Sequence, residues 1–147
     1  MRKERKLFSE TGITILELMI VAGIIFAVLA FLAKFYADKQ YQINVKFTKA
    51  KMEEIKVFLD QYRSDYGMYP TTTQGLKALM EEPVDEPRPK NWRAAISDAD
   101  NLKDMWGTDF DYELADDGNS YSIISFAKDK RRGGDGTGKD IVVYSNE

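Results

Sequence analysis

The stretch GITILELMIVAGIIFAVLAFLA, residues 12–33, decides how the rest of the chain is read, because between Ile13 and Ala33 its one charged side chain is Glu17. At about 1.5 Å per residue, those residues form a helix roughly 32 Å long, enough to cross a hydrocarbon core. An ionised carboxylate placed there costs on the order of 2.5 to 3.5 kcal/mol on insertion scales, so Glu17 calls for a partner. Two explanations stand open: pairing with a cation in an assembly, or snorkelling of Glu17 to the nearby interface of a plain anchor.

Outward from that stretch toward the N-terminus, residues 1–12 carry four basic and two acidic side chains. Basic residues beside an apolar segment hold that end in the cytoplasm and send the C-terminal part across. A secretory signal would have its small-residue cleavage site after the apolar core, whereas here the candidate glycine precedes it. Without residues 1–12 the chain has 17 basic and 22 acidic side chains, a net charge of −5. That balance, with no basic stripe, speaks against nucleic acid as a partner. The chain has no histidine and no cysteine. Cysteine nucleophiles, disulfides, histidine acid–base chemistry and the usual zinc sites are therefore excluded, and no catalytic motif points to an enzyme.

Toward the C-terminus the polarity changes at Lys34, Asp38 and Lys39, which mark the exit from the membrane. Nothing breaks the helical pattern until Gly67, and Phe47, Ala50, Ile55, Phe58, Leu59, Tyr62 and Tyr66 recur at spacings near three and four. This predicts one helix over residues 14–65 with those side chains as its inner stripe. The Thr71 to Gln74 spacing of a capping box predicts a short second helix carrying Leu76, Leu79 and Met80. Residues 81–96 hold three of the four prolines and read as an irregular loop. Alternation over Phe110, Tyr112 and Leu114, a turn at residues 116–119, a run at 121–126 and a β-branched run at 141–144 predict three short strands.

The string Gly12-Ile13-Thr14-Ile15-Leu16-Glu17 resembles the prepilin signature of type IV pilins and type II secretion pseudopilins. Tyr69-Pro70-Thr71-Thr72-Thr73-Gln74-Gly75-Leu76-Lys77-Ala78-Leu79 resembles a segment of the major pseudopilins, and Asp104-Met105-Trp106-Gly107 resembles their Asp-Pro-Trp-Gly. The resemblance implies an α+β fold of the type IV pilin-like class, in which a long N-terminal helix, half transmembrane and half amphipathic, packs on a small antiparallel β-sheet. It implies a leader at 1–12, a transmembrane and filament-core helix at 13–35, and a globular part at 36–147 lying in the periplasm. Cleavage is expected between Gly12 and Ile13 by a prepilin peptidase, followed by N-methylation of Ile13. The new Ile13 amino group is expected to pair with Glu17 of a neighbouring copy in a helical filament. Minor pseudopilins, an inner-membrane platform protein and a secretion ATPase are the other partners implied. Ile13 stands where the family usually has Phe, and Lys34 where it often has proline.

In the family a calcium loop runs Ser-Leu-Gly-x-Asp, then a spacer, then Asp-Asp-Ile; Ser125-Phe126-Ala127-Lys128-Asp129 and Asp140-Ile141 align with its ends. The resemblance thus implies Ca²⁺ held by the carboxylates of Asp129 and Asp140, with Asp135 in place of a carboxylate lost to Lys139, and by the carbonyls of Phe126 and Thr137. The alternative is a mobile glycine-rich loop held by Arg–Asp contacts, since Lys130, Arg131 and Arg132 repel a cation. The functions left open are a pseudopilus subunit for protein export, a type IV pilin for adhesion, motility or DNA uptake, and a membrane-tethered binding module that does not polymerise.

Overall fold

The structure, a computed structural model, describes residues 12–145. The expected leader therefore lies outside the described residues except for Gly12. The chain forms two compact units, one ending at Lys39 and one beginning at Gln40.

Helix α1 runs Ile15–Tyr66, one residue later at each end than the periodicity predicts. Apart from Glu17 its first half, up to Ala33, is apolar on every side: Ile15, Leu16, Met19, Phe26 and Phe31 are each at least 66% exposed. It is long and apolar enough to cross a membrane. Arg63 stands in the last turn, where a cation suits the helix C-terminus. Gly67 then accepts the left-handed φ of 79° that ends the helix, and its N–H donates to the Arg63 carbonyl at 2.7 Å.

From Gln40 onward α1 becomes one-sided. Its buried face is Thr48, Met52, Ile55, Lys56, Leu59 and Tyr62, a spacing of four and three that stays on one side of the helix. The expected stripe is corrected at its start: Phe47 is 56% exposed and Ala50 is exposed, while Thr48 and Met52 are fully buried. Phe47 lies about 100° around the helix from Thr48, so its size could not bring it inside once Thr48 met the loop at Met105, whose N–H donates to the Thr48 hydroxyl at 3.2 Å.

The three strands β1 (Asp111–Leu114), β2 (Tyr121–Ser125) and β3 (Ile141–Tyr144) form an antiparallel sheet in the order β1-β2-β3. The register pairs Tyr112 with Ile123, and Ile123 with Val143. The β1–β2 turn is built on Asp117, whose carboxylate accepts the N–H groups of Asn119 and Ser120 and is held below its usual pKa by them. Tyr112, Tyr121, Ile123 and Val143 join the α1 face in one core. Burial pushes the Tyr112 and Tyr121 phenols well above their ordinary pKa.

The Tyr69 to Leu79 string is a set of connectors. Tyr69 donates to Asp60 of α1 at 2.9 Å, and the Pro70 carbonyl accepts the Tyr112 hydroxyl at 2.9 Å. The Thr71 hydroxyl accepts the Gln74 N–H while the Gln74 side-chain oxygen accepts the Thr71 N–H, the two halves of the expected capping box. The segment beyond it, Leu76–Leu79, is the expected short second helix, in 3₁₀ form and ending before Met80. The Gln74 amide also holds the carbonyls of Asp85 and Pro87, at 2.8 and 3.0 Å, which fixes the irregular 81–96 segment.

The corrected stripe makes a direct prediction. In a soluble protein of residues 40–147, Leu59→Ala should lower the unfolding free energy by about 2 to 5 kcal/mol, and Phe47→Ala by no more than about 0.5 kcal/mol. Urea denaturation followed by circular dichroism checks both; a larger loss at Phe47 than at Leu59 would refute the assignment.

Candidate functional site

At the N-terminal segment, Gly12 and Ile13 precede α1 outside any helix and are exposed. Thr14 caps the helix: its hydroxyl accepts the Glu17 N–H at 3.2 Å, and its carbonyl the Leu18 N–H at 3.1 Å. Glu17 is exposed in the first turn, where the helix dipole favours an anion. Thr14 and Glu17 have the spacing of a capping box, of which the Thr14 half is formed. The dipole reduces the cost of the carboxylate, but its effect of about 0.3 to 1 kcal/mol is smaller than the insertion penalty.

The C-terminal loop is organised from below by a residue to which the sequence motifs assign no role. Asp104 is 4% exposed, and one carboxylate oxygen accepts the N–H groups of Trp106 and Thr108, each at 2.9 Å. Its other oxygen accepts the Ser125 hydroxyl at 2.7 Å, and the Ser125 oxygen accepts the Ala127 N–H at 3.2 Å. One buried carboxylate thereby joins the Trp106 turn, the end of β2 and the start of the loop. The signal in the sequence was the spacing of Asp104 to the Trp106-Gly107 turn, which lets a short side chain reach the N–H groups two and four residues on. Trp106 packs with its ring 5.9 Å from that of Tyr41. Ala127, where the family motif has glycine, is fully buried and adopts a left-handed φ of 50°.

The loop has two 3₁₀ turns, Ala127–Asp129 and Gly136–Gly138, that pack together. Phe126 is half-buried at the start of the first; Asp129, Asp135 and Thr137 are exposed, and Asp140 is half-buried just before β3. Asp129 accepts the Arg131 N–H at 3.1 Å, and Asp140 accepts the Gly133 N–H at 2.8 Å through Oδ2. Arg132 pairs with Glu113 of β1, and the Tyr41 hydroxyl reaches the Gly136 carbonyl at 3.5 Å.

Two observations bear on a cation. Asp140 Oδ1 is buried and has no hydrogen-bond partner among the described residues, an arrangement that ordinarily costs about 1 to 3 kcal/mol. A Cβ on Gly134 would fall 2.5 Å from the Gly138 carbonyl oxygen and 2.8 Å from Asp129 Oδ2, and one on Gly138 would fall 2.4 Å from Asp129 Oδ2. The glycines thus make room for a carboxylate and a carbonyl to face one small space. Among the described residues no three acidic side chains converge, so Asp129, Asp135 and Asp140 do not form a cage by carboxylates alone. The donor set of Asp129, Asp140 and backbone carbonyls fits a hard, oxygen-seeking ion with irregular geometry.

A family model described as Type II secretion system (T2SS), protein G, matches residues 36–144. The Type II secretion system core protein G of Vibrio cholerae serotype O1 is 33% identical over 141 residues, covering 96% of this chain and 94% of that protein. Its counterpart from Pectobacterium carotovorum subsp. carotovorum is 34% identical over 127 residues, covering 82% and 76%. The fold is similar to the crystal structure of the major pseudopilin from the type 2 secretion system of enterohaemorrhagic Escherichia coli, with a TM-score of 0.60 and 26% identity over 72% of this chain and 90% of that one.

The Asp104 network predicts that Asp104→Ala destabilises residues 40–147 by about 3 kcal/mol, because it leaves one buried and two partly buried donors without an acceptor. Asp104→Asn, which keeps an acceptor, should cost about 1 kcal/mol. Hydrogen exchange at the Ala127 amide should accelerate in the alanine variant beyond what its global stability explains; unchanged exchange there would sever Asp104 from the loop.

Proposed function

The chain belongs to the type II secretion system protein G family, and from that membership we propose that it is a structural subunit of the secretion pseudopilus that polymerises through the first half of α1. The observation that carries the reading is that half-helix: its apolar side chains are exposed on every side. A lipid bilayer solvates such a surface before assembly, and the helices of other copies cover it afterwards.

Processing after Gly12 supplies a cationic amino group on Ile13, methylated in the mature subunit, one turn from Glu17. Within a filament core of low dielectric, that ammonium and the Glu17 carboxylate of a neighbouring copy neutralise each other, and the pairing selects one register out of many that apolar packing permits. The globular unit lies in the periplasm. A prepilin peptidase, an inner-membrane platform protein, a secretion ATPase and minor pseudopilins act on or beside the subunit, whose own contribution is assembly and no catalytic step.

Calcium belongs to the same proposal. Asp129 and Asp140, with the carbonyls of Phe126 and Thr137 and the exposed Asp135 beside them, are the groups that would hold Ca²⁺. When bound, the ion neutralises the two carboxylates and ties the ends of the loop together, as a disulfide does in a protein with cysteines.

Assembly is tested with Glu17→Ala in the full chain, expressed with the peptidase and secretion apparatus. The variant should be processed and inserted at wild-type levels while sheared filaments fall below detection in electron micrographs; wild-type filament yield would refute the pairing. For calcium, residues 40–147 should gain about 2.7 kcal/mol at an ion concentration of about 100 Kd, a rise in Tm on the order of 10 °C, over the same protein in chelator. Asp129→Ala or Asp140→Ala should abolish that rise, and a wild-type Tm indifferent to chelator would exclude the ion.

A further inference from the structure

The C-terminal loop carries charge that neither the core nor the calcium reading uses. Lys128, Lys130 and Arg131 are exposed, and none of them forms an ion pair among the described residues; Arg132 is committed to Glu113. On a domain with an acidic balance, this is a concentrated basic patch. The backbone beneath it is held: Asp129 takes the Arg131 N–H, Asp140 takes the Gly133 N–H, and Arg132 is tied to β1. The cations are therefore presented from a fixed base.

The opposite pattern occurs in the 81–86 segment. Glu81, Glu82 and Asp85 are exposed and without ion pairs among the described residues, and Val84 between them is 74% exposed. This segment too has a fixed base, because the Gln74 amide grips the carbonyls of Asp85 and Pro87, and Pro83 is buried. No hydrogen bond or ion pair joins the two loops within the chain among the described residues. The basic loop also exposes Asp129 and Asp135, and Glu86 pairs with Arg88, so the complementarity rests on Lys128, Lys130 and Arg131 on one side and Glu81, Glu82 and Asp85 on the other.

Two different, complementary patches on one molecule generate a head-to-tail contact, and such a contact propagates into an open helical array when the rotation does not close. We infer that the basic C-terminal loop of one copy docks on the acidic 81–86 loop of another copy, a contact between globular units that rests on the pseudopilus reading and adds to the helix packing. Exposed ion pairs are individually weak, at about 0 to 1 kcal/mol each, so this contact sets which copy sits beside which and leaves the bulk of the association energy to the helices. Exposed Val84 supplies an apolar centre to a polar rim.

The chain has no cysteine, which makes single-site cross-linking clean. Full-length Arg131→Cys and Glu82→Cys chains, expressed together in cells that form filaments, should give a bismaleimide-linked dimer that neither chain gives alone. Mixed filaments with no such dimer would overturn the contact. In a second arm, the double variant Lys128→Glu and Arg131→Glu should lower filament yield by about tenfold or more, because like charges then face each other. Adding Glu81→Lys and Glu82→Lys to the same chain should restore it. Undiminished yield in the first variant, or no recovery in the second, would also overturn the contact. Wild-type chains that form no filaments at all would instead sink the pseudopilus reading beneath it, so the two failures are told apart.

Discussion

Helix α1 cannot complete its own burial. From Ile15 its apolar side chains are exposed on all sides, and their transfer from water, at about 25 cal/mol per Å², is a driving force that no part of the same compact unit satisfies. Glu17 lies within that surface and limits how it is covered. Lipid accepts the apolar residues and tolerates the carboxylate poorly, so a helix surface that also brings a cation is favoured over lipid alone. Thr14 and the dipole at the helix N-terminus lower the penalty without removing it. The proposed subunit, held in a membrane before assembly, would need this intermediate level of satisfaction.

The second half of the same helix solves a different problem. From Thr48 to Tyr62 one face is buried against the sheet and the connector segment, so a continuous helix, Ile15–Tyr66, links a surface awaiting partners to one already packed. Around it, polar groups do much of the specifying. Tyr69 is bound to Asp60, Tyr112 to Pro70, and Gln74 to the 81–96 segment. Asp104 is the most consequential of these, because its removal leaves three donors without an acceptor, the Ser125 hydroxyl fully buried and the Trp106 and Thr108 N–H groups partly buried. It also places Ser125 and Ala127, and so determines where the C-terminal loop begins.

With no cysteine in the chain, the loop must be closed by other means. Arg132 with Glu113, Asp140 with the Gly133 N–H, and Tyr41 with the Gly136 carbonyl supply a partial closure from the protein itself. The unpartnered Asp140 Oδ1 and the space kept by Gly134 and Gly138 leave a place for a cation. The basic side chains around that place would weaken the binding of the proposed cation while offering a surface to the proposed anionic partner, so the two proposed roles of the loop oppose each other.

The features legible in the sequence depend on interactions a few residues long. The extent of α1 followed from unbroken periodicity up to Gly67, the turn at 116–119 from Asp117 and Gly118, and the pairing of Thr71 with Gln74 from a three-residue spacing. The anchor, with its lone carboxylate, was determined by composition alone. What tertiary structure decided was which of several suitable groups found a partner. Phe47 and Ala50 fit a helical stripe as well as Thr48 and Met52 do, and only the arrival of Met105 and the sheet on the other face settled the choice. The short helix at Leu76–Leu79 was legible from the Thr71 to Gln74 spacing, but its 3₁₀ form was not. Asp104 stood in the sequence only as the first residue of the string leading to Trp106 and Gly107, and became the centre of a network through contact with Ser125, twenty-one residues away. Local periodicity is encoded residue by residue, whereas burial and hydrogen-bond partnership belong to pairs that the chain brings together only on folding.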